Sequence, residues 1–175
     1  MRRDQLEHLI RAAGQIIGDD RIIVVGSQAI LASYPDGLPW PAVASLEADL
    51  FPFNDPDGRK ADEISGSIGE ASRFQETYGV YADGVDEHTA RLPAGWRERL
   101  IPISSANTGG VTGLCLEAHD LCVSKLLAGR DKDLSFCRAL LASGHVQSAT
   151  VRARVPYTDA TEAESARLGG FLDAY

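Results

Sequence analysis

The chain has 175 residues, 44% hydrophobic and 24% charged, a composition typical of one globular domain that needs no disulfides. Its net charge of −8 argues against a broad phosphate-binding surface of the kind that duplex-binding proteins carry. No apolar run approaches the ~20 residues of a membrane span, so no membrane partner is expected, and the N-terminal stretch predicts an amphipathic helix. Three cysteines without metal-type spacing favour reduced thiols and a cytoplasmic location.

The first third of the chain alternates helical and strand patterns. Apolar residues at helical spacing predict a helix over 4–17, and a β-branched run predicts a buried strand over 21–25. A second helix is expected over 28–34, where a Pro-Asp-Gly turn stops it. A loop with three prolines follows, and alternating side chains then predict a strand over 46–51.

The middle of the chain continues the mixed pattern. An apolar stripe predicts a helix over 60–72. Alternating or short apolar runs predict strands over 78–85, 99–103 and 111–116.

From His119 onward the pattern is helical. Two helices over 119–129 and 131–144 each close on a glycine. The segment 148–155 is ambiguous, and the tail after residue 158 has few core positions. We therefore expect an α/β (α+β) fold with a mixed sheet flanked by helices over 1–117. A helical part over 118–175 is expected to pack on this core.

The predicted strand "SLEADLFP" carries two acids on one face. Successive strand residues point to opposite faces, so Glu47 and Asp49 share one face while Ala48 and Leu50 share the other. Carboxylates about 6.5–7 Å apart along a strand can both reach one hard cation such as magnesium. The alternative is an edge strand whose charges block aggregation.

A tight turn lies upstream, in "VVGSQAIL". Gly26 permits close backbone approach, and Ser27 offers a hydroxyl and a helix cap. A helix start of this kind can bind phosphate through unpaired N–H groups. The alternative is a plain strand-to-helix turn, which is common in α/β folds.

Together, "VVGS" and "LEADL" resemble the nucleotidyltransferase superfamily typified by DNA polymerase beta. The resemblance implies that Gly26 and Ser27 hold a nucleoside triphosphate. It also implies that Glu47 and Asp49 bind Mg²⁺ or Mn²⁺ as catalytic ligands. Glu47 departs from the commoner aspartate, which changes the reach to the metal.

The superfamily also has a third acid on a neighbouring strand. Asp83, in "YADGV", lies inside the predicted third strand and is the preferred candidate as metal ligand and catalytic residue. Asp86 lies just past that strand. A turn aspartate before Gly84 is an equally good interpretation of Asp83.

The segment "HDLCVSKLLAGRDKDLSF" looks like the later motifs of the abortive-infection toxin branch of this superfamily. By position, Lys125 and Arg130 would contact the nucleotide. Asp133 would belong to the same site, where it could cap the next helix or orient either cation. The alternative places Lys125 and Arg130 on a solvated surface between two helices.

The blocks "GSQAIL", "SLEADLFP", "GWRERL" and "LEAHDLCVSKLLAGRDKD" also look like those of a small bacterial family of uncharacterised nucleotidyltransferase-like proteins. This resemblance covers roughly residues 20–143. The resemblance to the superfamily implies metal-dependent transfer of a nucleoside monophosphate from a nucleoside triphosphate to an unknown acceptor, such as an RNA or protein hydroxyl. The resemblance to the abortive-infection branch implies a toxin-like setting.

Other functions stay open at this point. The same fold without catalysis would serve as a binding or regulatory partner, and a protein partner or a homo-oligomer would fit either function. A metal-dependent phosphohydrolase ranks lower, because no histidine accompanies the acids. A basic patch suited to RNA would need to be local, built from the cations Arg91, Arg97, Arg99, Lys125, Arg130 and Lys132.

Overall fold

The computed structural model describes all 175 residues and combines nine α-helices with one five-stranded sheet. The helices are α1 (Arg3–Ile17), α2 (Ile30–Ser33), α3 (Trp40–Val43), α4 (Arg59–Ile68), α5 (Arg73–Tyr78), α6 (Ala118–Ala128), α7 (Asp131–Ala142), α8 (Ser148–Arg154) and α9 (Glu162–Leu172). The strands are β1 (Arg21–Val24), β2 (Glu47–Pro52), β3 (Tyr81–Gly84), β4 (Ile101–Ile103) and β5 (Thr112–Cys115). The predicted mixed α/β fold is confirmed.

The sheet is mixed and has the strand order β3-β2-β1-β5-β4. β1 is antiparallel to β2 and parallel to β5, while β2 is parallel to β3 and β4 is antiparallel to β5. The acid-bearing strand β2 therefore lies inside the sheet. The alternative of a charged edge strand is wrong, because the edges are β3 and β4.

One face of the β2–β3 pair packs against α4. In this parallel pair Leu50 lies beside Gly84, so the two residues share a face. A Cβ on Gly84 would lie 2.1 Å from the backbone oxygen of Ala61 in α4, which places the helix directly on this face. Ala48 and Leu50 are fully buried there. The acids on the same strand consequently face the opposite side.

Both predicted parts of the chain contribute to one hydrophobic core. Leu9 and Ile23 from the first part belong to the same buried cluster as Leu121 and Leu140 from the helical part. Nothing separates the cluster into two cores, so the helical part is packed on the sheet. No helix is both long enough and apolar enough to cross a membrane.

The proline-rich loop contains a helix that the sequence analysis missed. α3 occupies Trp40–Val43, with Pro41 in its first turn. Proline is tolerated there because the first-turn N–H groups have no helical partner in any case.

The region before β3 also differs from expectation. The predicted helix over 60–72 ends at Ile68, and Ala71 adopts a positive φ of 60°. The start of the predicted strand over 78–85 belongs to α5, which ends at Tyr78. Gly79 then reverses the chain with a φ of 71°. The ambiguous segment 148–155 is mostly helical, as α8.

Candidate active site

The turn after β1 brings the backbone of Gly26 against Asp49. Gly26 has φ 38° and ψ −174°, a conformation that essentially only glycine adopts. A Cβ on Gly26 would lie 1.7 Å from Asp49 Oδ2. The close approach of this turn to the carboxylate therefore requires glycine for two independent reasons.

Ser27 begins a short 3-10 helix, Ser27–Ala29, that leads into α2. Gly26 rather than Ser27 occupies the N-cap position, so the expectation that Ser27 caps the helix is wrong. The helix after the turn is also shorter than predicted, because α2 has only four residues. Its dipole is correspondingly small, so an anion at this turn would depend on individual N–H groups and nearby cations.

The acids of β2 form a row on the open face of the sheet. Glu47 and Asp49 alternate with buried residues along the strand. Asp49 lies directly beside Asp83 of β3 in the parallel register, and Glu47 lies beside Tyr81. Neighbouring strands are about 4.8 Å apart, so Asp83 joins the same face one strand away from Asp49.

The environment of the acids disfavours their charged forms. Burial raises the pKa of Asp49, the Lys125 ammonium offsets part of this effect, and the Asp83 carboxylate adds to it. Burial likewise raises the pKa of Glu47, and the carboxylates of Asp49 and Asp83 raise it further. A bound cation would remove this penalty, because an opposite charge stabilises carboxylates.

Asp86 has a different task from Asp83. Its carboxylate accepts the backbone N–H of His88 at 2.8 Å and caps the 3-10 helix Glu87–Thr89. Asp83 lies within β3, and its Oδ1 would be 2.8 Å from a Cβ placed on Gly69. Of the two candidates for a third acid, only Asp83 lies in register with the acid strand.

The carboxylate oxygens of these acids are the type of ligand that magnesium and manganese prefer. Nowhere in the chain do three His, Cys, Asp or Glu side chains converge into a metal cage. Magnesium commonly takes one or two carboxylates and completes its shell with substrate phosphates and water, so a full protein cage is not required. Glu47 and Asp49 would hold such an ion, with Asp83 as the adjacent third carboxylate.

Two cations meet one buried carboxylate on the helical side. Lys125 Nζ donates to Asp133 Oδ1 at 3.0 Å, and Arg130 Nε donates to Asp133 Oδ2 at 2.6 Å. Lys125 also lies 4.7 Å from the centre of the Phe136 ring, a cation–π distance. Of the two roles expected for Asp133, the structure places it in the one that orients Lys125 and Arg130.

Lys125 and Arg130 differ in exposure. Lys125 is buried, so its interpretation as a solvated surface lysine is wrong. The Arg130 side chain is 63% exposed and can swing without unpacking the core. Burial would raise the pKa of Asp133, but the hydrogen bonds from Arg130 and Lys125 outweigh it and lower that pKa. Asp133 therefore stays ionised and holds both cations at the cleft.

A cleft of about 450 Å³ gathers most of these groups. Among its lining residues are seven of the eight predicted site residues, namely Gly26, Ser27, Glu47, Asp49, Lys125, Arg130 and Asp133. Asp83, the eighth, lies beside the cleft through its register with Asp49. Carboxylates on the sheet thus face cations on α6 and the start of α7 across one space.

Two residues of interest were not predicted to belong to the nucleotide or metal site, although Lys132 was named for a basic patch. Lys132 lines the cleft, and its charge lowers the pKa of both Glu47 and Asp49 against the larger effect of burial. Its position inside "RDKD" could have suggested this. Gln28 is fully buried, and neither atom of its amide has a hydrogen-bond partner. No sequence pattern indicates such a buried amide.

The proposed basic patch does not exist as one surface. Arg91, Arg97 and Arg99 are ion-paired with carboxylates away from the cleft. Of the six cations, only Lys125, Arg130 and Lys132 line the cleft. These three are therefore the cations near the acids.

The sequence profile of one protein family, described as nucleotidyltransferase of unknown function (DUF6036), matches residues 4–168. The chain belongs to this family. The match confirms the resemblance to nucleotidyltransferases, and it extends beyond 20–143 into the N-terminal helix and most of the tail. No curated protein and no solved structure shows significant similarity to the chain.

Proposed function

We propose that this nucleotidyltransferase transfers a nucleoside monophosphate from a nucleoside triphosphate to a hydroxyl group, with Mg²⁺ or Mn²⁺ as cofactor. The observation that carries the proposal is the pairing across one cleft. Glu47 and Asp49 lie on the sheet side, and Lys125 and Arg130 lie on the helical side beside the Gly26 turn.

The helical side would bind the triphosphate. Lys125 is held at the cleft by Asp133 and by the Phe136 ring, so little ordering remains for it on binding. Arg130 is mostly exposed, so exchanging its contact with Asp133 for a phosphate oxygen would not disturb the core. Asp49 Oδ2 occupies the space that a Cβ on Gly26 would fill, so a phosphate at this turn would contact it on the side of Ser27, which also lines the cleft.

The sheet side would organise the reacting end. Glu47 and Asp49 would hold a metal ion beside Asp83, and that ion would supply positive charge to the transferring phosphate. Asp49 faces Lys125 in the folded chain, so both signs of charge are present before substrate binds. Such preorganised charge stabilises a phosphoryl-type transition state without reorganisation.

Nucleotide binding is the direct test. Calorimetry would measure binding of nonhydrolysable triphosphates of all four bases, with and without Mg²⁺ or Mn²⁺. We expect metal-dependent binding that Asp49→Asn weakens at least about tenfold, as expected for loss of a charge-bearing metal ligand. No binding to any triphosphate at millimolar concentration would contradict the proposal and favour a non-catalytic binding or regulatory partner.

Asp83 and Asp86 form a matched pair for the same assay. Asp83→Asn is expected to weaken metal-dependent binding, because Asp83 lies beside Asp49 in the sheet. Asp86→Asn should leave it unchanged, because Asp86 caps a 3-10 helix. Equal effects of the two changes would count against Asp83 as the third acid.

We extend the proposal to a toxin-like role. Its support is the helical motif that resembles the abortive-infection branch, whose Lys125, Arg130 and Asp133 meet in one hydrogen-bonded group at the cleft. Induced expression of the wild type should slow bacterial growth, whereas Asp49→Asn at the same protein level should not. Equal growth with both proteins would contradict the toxin role while leaving nucleotidyl transfer intact.

A further inference from the structure

A second cleft, of about 650 Å³, adjoins the candidate active site. Ala90 lines both clefts, and its neighbour Thr89 lines the first. One wall of the second cleft is the segment 87–98, and the other is the turn 157–159 between α8 and α9. The backbone N–H of Ala94 donates to the carbonyl of Tyr157 at 2.8 Å, which ties the two walls together.

Two aromatic side chains line the second cleft. Tyr157 is 66% exposed, unusual for so large a ring. Trp96 is partly buried against the core, and the Arg97 guanidinium lies 4.4 Å from the centre of its ring. Aromatic residues and arginine are the residues that protein interfaces enrich most.

The charges of the second cleft are already paired. Arg91 donates to Asp159 at 2.9 Å and to Glu164 at 2.7 Å. Arg97 donates to Glu87 at 2.6 Å. A phosphate backbone needs free cations, because most of its affinity comes from neutralised phosphates. Both arginines of the lining are committed to carboxylates, and the acid Glu98 adds negative charge.

We propose that the second cleft seats the acceptor, and that the acceptor is a polypeptide segment rather than RNA. This inference rests on the proposed function. A serine, threonine or tyrosine of the segment would reach past Ala90 into the first cleft. Its side-chain oxygen forms a bond to the α-phosphorus while the bond from that phosphorus to the β-phosphate oxygen breaks. Pyrophosphate leaves, and the hydroxyl proton passes to a carboxylate of the first cleft.

The C-terminal tail would take part in binding the acceptor. Tyr157 directly precedes that tail and Asp159 lies at its start, and Arg91 joins Asp159 to Glu164 of α9. The tail thereby forms one wall of the acceptor site, although it carries none of the nucleotide-binding motifs.

The test offers both acceptor classes to the full chain at once. One reaction contains a degenerate pool of short peptides with a central Ser, Thr or Tyr, and a second contains bulk transfer RNA. Both contain α-³²P-labelled triphosphates and Mg²⁺ or Mn²⁺. Tyr157→Ala removes an exposed ring of the second cleft. Tyr175→Ala, which also removes an exposed ring but outside the cleft, is the matched control.

We expect label in the peptide pool, a loss of about tenfold or more in Tyr157→Ala, and no loss in Tyr175→Ala. Nucleotide binding by calorimetry should be equal in all three proteins. Label in RNA alone, equal peptide labelling in both variants, or no label in either pool despite intact nucleotide binding would each overturn the inference. Absence of nucleotide binding in the wild type would instead overturn the proposed function beneath it.

Discussion

Asp133 joins the two cations of the candidate active site to the protein core. It is fully buried, and both of its oxygens accept a hydrogen bond from a cationic side chain. A buried carboxylate is tolerated only when it is paired, and Lys125 is buried with it. The pair is therefore part of the folded structure as well as of the site.

Asp133→Ala should be strongly destabilising. It leaves Lys125 buried without its partner, and breaking a buried pair costs about 3–5 kcal/mol. Asp131→Ala, two residues earlier on α7, is the control, and it removes only a helix-dipole contribution of about 0.3–1 kcal/mol. Urea unfolding of both variants measures the difference, and similar losses would show that the Asp133 contacts contribute little.

The same pairing predicts acid sensitivity. Because the pKa of Asp133 is lowered on folding, its contribution is fully present above the unfolded pKa of about 3.9. It is lost as the pH falls through the lower folded pKa. Unfolding free energies measured between neutral and strongly acidic pH should therefore fall less steeply in Asp133→Ala than in the wild type.

Gly26→Ala should damage both folding and binding. Alanine would adopt a strained φ and would also place its Cβ 1.7 Å from Asp49 Oδ2. Gly37→Ala is the matched control, because Gly37 has a positive φ of 77° but no neighbour within 4 Å of the added carbon.

Left-handed strain alone costs about 1–2 kcal/mol, so Gly37→Ala should lose about that much. Gly26→Ala should lose more, and calorimetry should show weakened metal-dependent nucleotide binding in this variant alone. Unaltered binding in Gly26→Ala would remove the turn from the proposed site.

At the scale of elements, an ion network fixes the start of α6. Buried Asp120 accepts from Arg99 Nε at 2.7 Å and from Arg154 Nη1 at 2.8 Å. Glu117 caps α6 and also accepts from Arg154 and from the His119 ring. The network ties α6 to α8 and to the segment before β4, and so positions the helix that carries the cleft lysine.

His119 gives this network a pH dependence. Burial would lower the pKa of His119, but the hydrogen bond and charge of Glu117, together with the hydrogen bond to Gln147, outweigh burial and raise it. Burial would raise the pKa of Glu117, but the bonds from His119 and Arg154 lower it to about 2, so Glu117 stays charged. The stabilisation from protonated His119 is fully present below its unfolded pKa of about 6.5 and is lost as the pH rises through the folded pKa.

Urea unfolding between pH 5.5 and about 8.5 tests this dependence. The wild type should lose stability with rising pH in this range, and His119→Gln should lose less. His88→Gln changes an exposed histidine and should follow the wild type. If the unfolding free energies of all three proteins changed with pH in parallel, the contact between His119 and Glu117 would contribute nothing to stability.

The elements also show which features sequence can predict. Apolar periodicity gave α1, α6 and α7 nearly at their observed bounds, because each has one buried stripe or a glycine stop. The alternation of polar and apolar residues in β2 likewise predicted that Glu47 and Asp49 share one face, because the other face of this strand is buried. α3 and α5 were missed, since four- and six-residue helices are too short to show a period.

At the scale of the whole molecule, neither the order of the strands in the sheet nor the solvent exposure of particular side chains could be predicted from the sequence. The sequence placed Asp83 on a third strand, but only the fold shows that this strand pairs in parallel with β2 and sets Asp83 beside Asp49. Trp40, whose large ring would ordinarily pack against other apolar side chains, is 75% exposed. Strand order and side-chain exposure both depend on contacts between segments that are distant in sequence, which local sequence patterns do not encode.

The shared core predicts one cooperative unfolding transition. Far-UV circular dichroism reports mainly on helices, including the all-helical part over 118–175, whereas Trp96 fluorescence reports on the sheet-containing part. In a Trp40→Phe variant, where Trp96 is the sole tryptophan, the two urea transitions should coincide. Separate midpoints would show that the helical part unfolds as an independent domain.

The alternation in β2 has a consequence for how the chain reaches its structure. If β2 paired one residue out of register, Glu47 and Asp49 would turn toward α4, and Ala48 and Leu50 would turn toward the cleft. Burying two carboxylates without a partner is so unfavourable that such a mispaired sheet could not persist. The acids thus disfavour mispaired strands, and the apolar residues that alternate with them fix which face of the sheet lies toward the cleft before any ligand arrives.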